Sequence, residues 1–316
     1  MKALKLIGKV LLVILIVIVA ALLVVFIYNR VMMSKESDLL EKPLGQMVEV
    51  DGHKMCVYTE GEGEHTLVFL SGSGTASPIL DFKTLYSKLD GYRIVVIEKF
   101  GYGFSDVVDE ERSFDTILRQ DRMALEKAGI SGKLILCPHS MSGVEALLWA
   151  QKYPDEVEAI VGLDMALPRS YDSYEHEATE KFEKFAAVGR EAGVIRFFYA
   201  DSTLPDSLTN EEKELYRAIA CKKAVNVNIM YEGRAIPEAV KEIDGQPIPD
   251  IPILMFVSDG KETGLDKWVQ IQKDFAKEHG AELIELDCGH YVHNEKADEI
   301  SGKIKEFTDS LDAKKE

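Results

Sequence analysis

Residues 133–147 constrain this chain more than any other stretch. Leu134-Ile135-Leu136-Cys137 is a short apolar run that reads as a buried strand. A turn of mostly small residues follows, Pro138-His139-Ser140-Met141-Ser142-Gly143. Val144, Leu147 and Leu148 then recur at helical spacing. Strand, sharp turn and helix can hold one hydroxyl, that of Ser140, above a sheet edge, with the next backbone N–H facing the same point. The pattern G-x-S-x-G is not met, because Pro138 and Ser142 occupy the glycine positions. Pro138 fixes φ and removes a donor just before the turn. On its own, the stretch is equally well an ordinary strand-to-helix turn carrying a serine.

The surrounding chain repeats the same alternation. Runs near residues 66–70, 93–98, 157–163, 253–257 and 282–286 read as strands, and helical patterns separate most of them. Asp51-Gly52 between residues 47–50 and 54–58 is a two-residue hairpin signal. The expected fold class is therefore α/β, a mostly parallel sheet with helices on both faces. From about residue 169 to 249 the pattern turns helical and acidic, punctuated by Pro205 and Pro237, and reads as an inserted cap. The expected organisation is an anchor over 1–30, a linker over 31–45, a core over 46–168 and 250–312, and a cap over 169–249.

Residues 10–27 carry no polar side chain, enough for a helix to cross most of a bilayer's hydrocarbon core. The following Tyr28-Asn29-Arg30-Val31-Met32-Met33 is a poor cleavage site, so an uncleaved anchor is expected over a signal peptide. Lys2, Lys5 and Lys9 precede the run, against Arg30 and Lys35 after it. That bias places the N-terminus inside and the main domain outside the cytoplasm. A formal net charge of -17 repels nucleic acid, which is dropped as a partner. Cys56, Cys137, Cys221 and Cys288 match no zinc spacing and read as small buried residues, with a disulfide left open. Gly101 and Gly103 lack the third glycine of a dinucleotide loop, and no metal or other cofactor is expected.

Reactive groups then fall at strand ends in the order Ser140, Asp259, His290. With Ser71-Gly72-Ser73-Gly74, Gly101-x-Gly103-x-Ser105-Asp106, His139-Ser140-Met141-Ser142-Gly143 and Gly289-His290, the chain resembles the α/β-hydrolase fold family from about residue 46 to 311. It departs from that pattern at Ser71, where the family often has His, and at Glu98, where it often has Asp. The resemblance implies that Ser140 attacks a carbonyl carbon, His290 is its base, and Asp259 orients the histidine. It also implies an oxyanion hole from the backbone N–H groups of Ser73 and Met141. Asp164 and Glu262 remain alternative acids. His293 reads as a surface or helix-start residue.

The expected activity is that of a membrane-anchored serine hydrolase cleaving an ester or amide. An aspartate at the elbow would instead have suggested epoxide hydrolase or dehalogenase chemistry. The acidic cap leaves open an aminopeptidase of the prolyl aminopeptidase type. A catalytically silent ligand-binding domain is the reading from another class. Phe197-Phe198-Tyr199 reads either as an acyl pocket or as packing between cap helices.

Overall fold

The computed structural model describes residues 2–172, 176–265 and 267–313. Eight strands form one sheet in the order β1-β2-β4-β3-β5-β6-β7-β8. They are β1 (Gln46–Val50), β2 (His53–Glu60), β3 (Thr66–Leu70), β4 (Arg93–Glu98), β5 (Leu134–Pro138), β6 (Val157–Leu163), β7 (Ile253–Val257) and β8 (Glu282–Glu285). β1 pairs antiparallel with β2, and β2 antiparallel with β4; the remaining pairs are parallel. Asp51 and Gly52 take φ of 52° and 82° at the β1–β2 turn. Both central positions of a type I′ hairpin need that left-handed region.

β3, β5 and β7 are buried at every residue, because helices cover both sheet faces. Successive side chains point opposite ways. Val68, Leu70, Leu134, Leu136 and Ile160 join one apolar cluster, and Leu67, Phe69, Ile135, Cys137 and Val161 join the other. Runs without polar alternation follow from that double burial. All four cysteines are buried free thiols.

The helices are α1 (Lys2–Lys35), two short turns α2 (Pro78–Asp81) and α3 (Lys83–Tyr86), α4 (Phe114–Lys127), α5 (Ser142–Lys152), α6 (His176–Glu191), α7 (Asn210–Lys223), α8 (Val227–Asp244), α9 (Trp268–His279), α10 (Val292–Glu295) and α11 (Ala297–Ala313). The starts of α4, α7 and α8 are capped by side chains. The Ser113 hydroxyl accepts from the Thr116 N–H ahead of α4, and Thr209 and Glu212 exchange both bonds of a capping box ahead of α7. α6, α7 and α8 lie between β6 and β7 in sequence and cover the carboxyl ends of the strands. Tyr102 OH in the core donates to Glu232 of α8 at 2.5 Å, and Asn226 Nδ2 donates to Gly101 O at 2.7 Å.

α1 is long and apolar enough to cross a membrane, and none of its apolar window is buried against the rest of the chain. It continues to Lys35, beyond the anchor boundary expected at residue 30. A 3-10 turn, Ser37–Glu41, follows and packs Leu39 and Leu40 against the Leu215 and Ile219 side of α7.

Candidate active site

Ser140 follows β5 with φ of 53°, a left-handed conformation costly for a residue with a Cβ. The turn is sustained by its neighbours. Pro138 ends the strand and offers no N–H, and the ladder bond to Leu70 O comes instead from His139 N at 3.0 Å. Ser142 is buried, and its hydroxyl lies 2.6 Å from Leu70 O and 2.8 Å from His139 O, sharing its one proton between the two carbonyls. The position that needs glycine is Gly143, where a Cβ would lie 2.2 Å from Ala166 O. Gly72 is equally constrained, since a Cβ there would meet Ser140 Cβ at 2.8 Å.

His290 Nε2 lies 2.9 Å from Ser140 Oγ. Its Nδ1 lies 2.6 Å from Asp164 Oδ2. Asp164 follows β6 with φ of 49° and is fully buried. Its Oδ1 accepts from Ser258 N at 2.9 Å and from Trp268 Nε1 at 2.8 Å. A carboxylate can only accept, so Nδ1 carries the imidazole proton and Nε2 accepts from the serine.

Asp259 was expected against His290 and lies elsewhere. Its carboxylate faces solvent and takes the Lys261 N–H at 2.9 Å and the Lys261 ammonium at 2.6 Å. Hydrogen bonds to Lys261 hold its pKa below the usual aspartate value. Glu262 does not meet the His290 ring either; its Oε2 accepts from the His290 backbone N–H at 2.8 Å. Glu295 accepts from Gly289 N at 3.1 Å. A Cβ on Gly289 would fall within 2.6 Å of both carboxylates, so a larger residue there would push the two glutamate side chains aside. Ser73 is exposed in the turn after β3, and Met141 occupies the N-cap position of α5, where an N–H has no intrahelical acceptor.

Three further groups pack around the site, and of these Trp268 carries no sequence signal. Trp268 sets its indole edge against the His290 ring, 5.6 Å between centroids. His139 is buried, and its Nε2 donates to His290 O at 3.1 Å. Burial, reinforced by the His293 and His290 rings, pushes its pKa well below the usual histidine value and keeps it neutral. His293 does start a short helix, α10, but is fully buried and lies 3.0 Å from Asp81 Oδ2. Packing behind the site, not solvent, accounts for it.

A cavity of about 960 Å³ borders Gly74, Thr75 and Tyr291, the neighbours of Ser73 and His290. Its far wall is apolar and belongs to the cap, including Phe182, Phe185, Ile195, Phe198, Tyr199 and Leu204. Phe198 and Tyr199 thus face the cavity. Phe197 is exposed and does not line it. Among the described residues, no group of three or more His, Cys, Asp and Glu side chains is placed to hold a metal ion.

Residues 32–225 match the family described as "Alpha/beta hydrolase of unknown function (DUF1057)". The chain is 36% identical over 296 residues to "Uncharacterized protein YbdG" of Bacillus subtilis, across 90% of this chain and 91% of that one. In fold it is similar to an epoxide hydrolase from Bacillus megaterium, with a TM-score of 0.65 and 15% identity over 84% of this chain and 100% of the other. It is also similar to a carboxylesterase structure from Nitrososphaera gargenis, with a TM-score of 0.61 and 16% identity over 85% and 100%.

Proposed function

Because this chain belongs to the α/β-hydrolase family, we propose that it is a membrane-anchored serine hydrolase that cleaves an ester through Ser140, His290 and Asp164. The single observation that carries this reading is the continuous relay from Ser140 Oγ through the His290 ring to Asp164. A serine hydroxyl is a weak nucleophile until a base takes its proton. His290 Nε2 takes that proton as Oγ attacks the carbonyl carbon, and Asp164 stabilises the imidazolium that forms. The N–H groups of Ser73 and Met141 receive the negative oxygen, each worth roughly 3 kcal/mol in the transition state. Collapse expels the alcohol, protonated by His290, and leaves an acyl-serine. Water, deprotonated by the same imidazole, then releases the acid.

Ser140 supports ester chemistry over that of the epoxide hydrolase neighbour, for which the elbow would carry an aspartate. The acids around the cavity support an ester over an aminoacyl substrate. Asp81, Glu262 and Glu295, the cavity acids nearest the serine and histidine, are held by His293, by the His290 N–H and by the Gly289 N–H, which leaves them poorly placed to receive a substrate ammonium, while Asp206 stands exposed at the cap rim 3.9 Å from Lys213 Nζ. The apolar wall suits an acyl group. α1 serves as the anchor, with its lysine-rich start inside the cytoplasm and the catalytic domain outside. A panel of p-nitrophenyl esters and aminoacyl anilides tests the reading. Turnover of esters is expected, and cleavage of anilides alone would overturn it.

A further inference from the structure

The end of the apolar helix is fastened to the cap. Asn29, two residues beyond the run 10–27, is buried, and its Oδ1 accepts from Arg196 Nε at 3.0 Å. The Asn29 side chain lies over Gly193, where a Cβ would come within 2.4 Å of Asn29 Cβ. Arg196 also grips Glu36 with both guanidinium ends, at 2.7 Å and 2.8 Å, and both side chains are buried. Residues 193–198 therefore cannot drift away from α1.

This lock sets a height above the bilayer. A helix rises 1.5 Å per residue, so Asn29 stands about 3 Å along the axis from the last residue of the apolar run. The headgroup layer on each side of the hydrocarbon core is roughly 5–8 Å thick. Anything beside Asn29 falls within that layer. Phe197 and Phe198 adjoin Arg196, and Phe182, Phe185 and Val188 recur every third residue on α6, which packs on the same segment. These five side chains are between 60% and 76% exposed. An apolar patch of that kind on a water-facing surface is unfavourable, whereas at a membrane interface it is buried by acyl chains. Phe182, Phe185 and Phe198 also line the cavity that borders Gly74, Thr75 and Tyr291, next to Ser73 and His290 in the chain.

We propose that the cap face formed by α6 and residues 194–198 is embedded in the surface of the same bilayer that holds α1, and that the cavity draws its substrate from that bilayer: a membrane-dissolved ester with a long acyl chain. This rests on the reading of α1 as an anchor and of Ser140 as the nucleophile. The chain enters between the Phe182, Phe185 and Phe198 side chains without crossing water, and its carbonyl reaches the Ser140 side of the cavity.

The test uses the full-length protein in phosphatidylcholine vesicles. The native tryptophans, Trp149 and Trp268, are buried in the core, so Phe197→Trp adds an emitter at the patch. Lipid brominated near the top of its acyl chains is expected to quench the added emission about twofold or more, with little effect on the wild type. Equal emission in brominated and plain vesicles would overturn the placement, and this arm needs no turnover. The second arm uses Phe197→Glu with Val188→Glu, neither of which lines the cavity. Hydrolysis of a long-chain 4-methylumbelliferyl ester carried in the vesicles is expected to fall about tenfold, while that of soluble p-nitrophenyl acetate stays within about twofold. An equal effect on both esters, or none on either, would overturn entry from the bilayer. If wild-type protein hydrolyses neither ester, the serine-hydrolase reading has failed, and the quenching arm still decides the placement. If it does not float with the vesicles, the anchor and the proposal fail together.

Discussion

Asp164 Oδ2 stands 2.6 Å from His290 Nδ1, while Asp259, one strand away, is turned to solvent and paired with Lys261. The two aspartates therefore separate in an experiment. Asp164→Asn is expected to lower kcat on a p-nitrophenyl ester by about 10⁴-fold, because the amide stabilises the wrong tautomer of His290. Asp259→Asn is expected to stay within about twofold, as surface changes away from such sites do. Comparable losses in both would remove Asp164 from the role proposed for it.

Gly143→Ala drives a Cβ into the Ala166 carbonyl, a backbone atom that cannot swing away. Ala166 N also donates to Ser140 O at 2.7 Å, so a shift there moves the serine turn. A loss of roughly 2–3 kcal/mol in stability is expected, in the range of overpacked cores. Ser142→Ala deletes only the hydroxyl bonded to Leu70 O and His139 O, and should cost about 1–2 kcal/mol. Urea denaturation in detergent, followed by tryptophan fluorescence, ranks the two.

Glu98 is fully buried at the end of β4 and accepts from Phe104 N at 2.7 Å. Burial pushes its pKa up from 4.5 to about 7. The folded protein thus holds this proton more tightly than the unfolded chain. The stabilisation is full below pH 4.5 and is lost as pH rises through 7. Lys223, which faces it, has its pKa lowered by burial to about 8, so its own titration lies above that window. Between about pH 5 and pH 7.5, this group should cost the wild type on the order of 2 kcal/mol. Glu98→Gln should flatten that slope, and an unchanged slope in denaturation midpoints would refute the assignment.

Arg196→Ala leaves Glu36 buried without its partner. Breaking such a pair typically costs about 3–5 kcal/mol. Here the cost falls on the junction between α1 and the cap, so limited trypsin digestion should cut at Lys35 and Lys42 several-fold faster. Adding Glu36→Gln should recover part of the protection, since no charge is then stranded.

The central strands β3 to β7 were legible in the sequence because burial on both sheet faces makes them largely apolar runs, β1 and β2 were legible from the Asp51-Gly52 turn between them, and Ser140 was legible from the strand, turn and helix around it. The acid was not. Asp164 and Asp259 both directly follow a parallel strand or its next residue, and nothing local tells which carboxylate turns inward. That is decided by the left-handed backbone at Asp164 and by Trp268, a residue 104 positions further along. The Arg196 lock on Asn29 and Glu36 spans more than 150 positions and has no periodic signature. Of the two readings of His293, helix start and surface, the first holds and the second does not, because its partner, Asp81, is brought in by tertiary packing.

The most direct measurement is labelling of the full-length protein with a fluorophosphonate, followed by mass spectrometry of the modified peptide. If Ser140 is the nucleophile as proposed, one adduct is expected, on Ser140, absent in Ser140→Ala and slowed by about 10³-fold or more in His290→Ala. Folded wild-type protein that takes up no label, or an adduct that persists in Ser140→Ala, would contradict it.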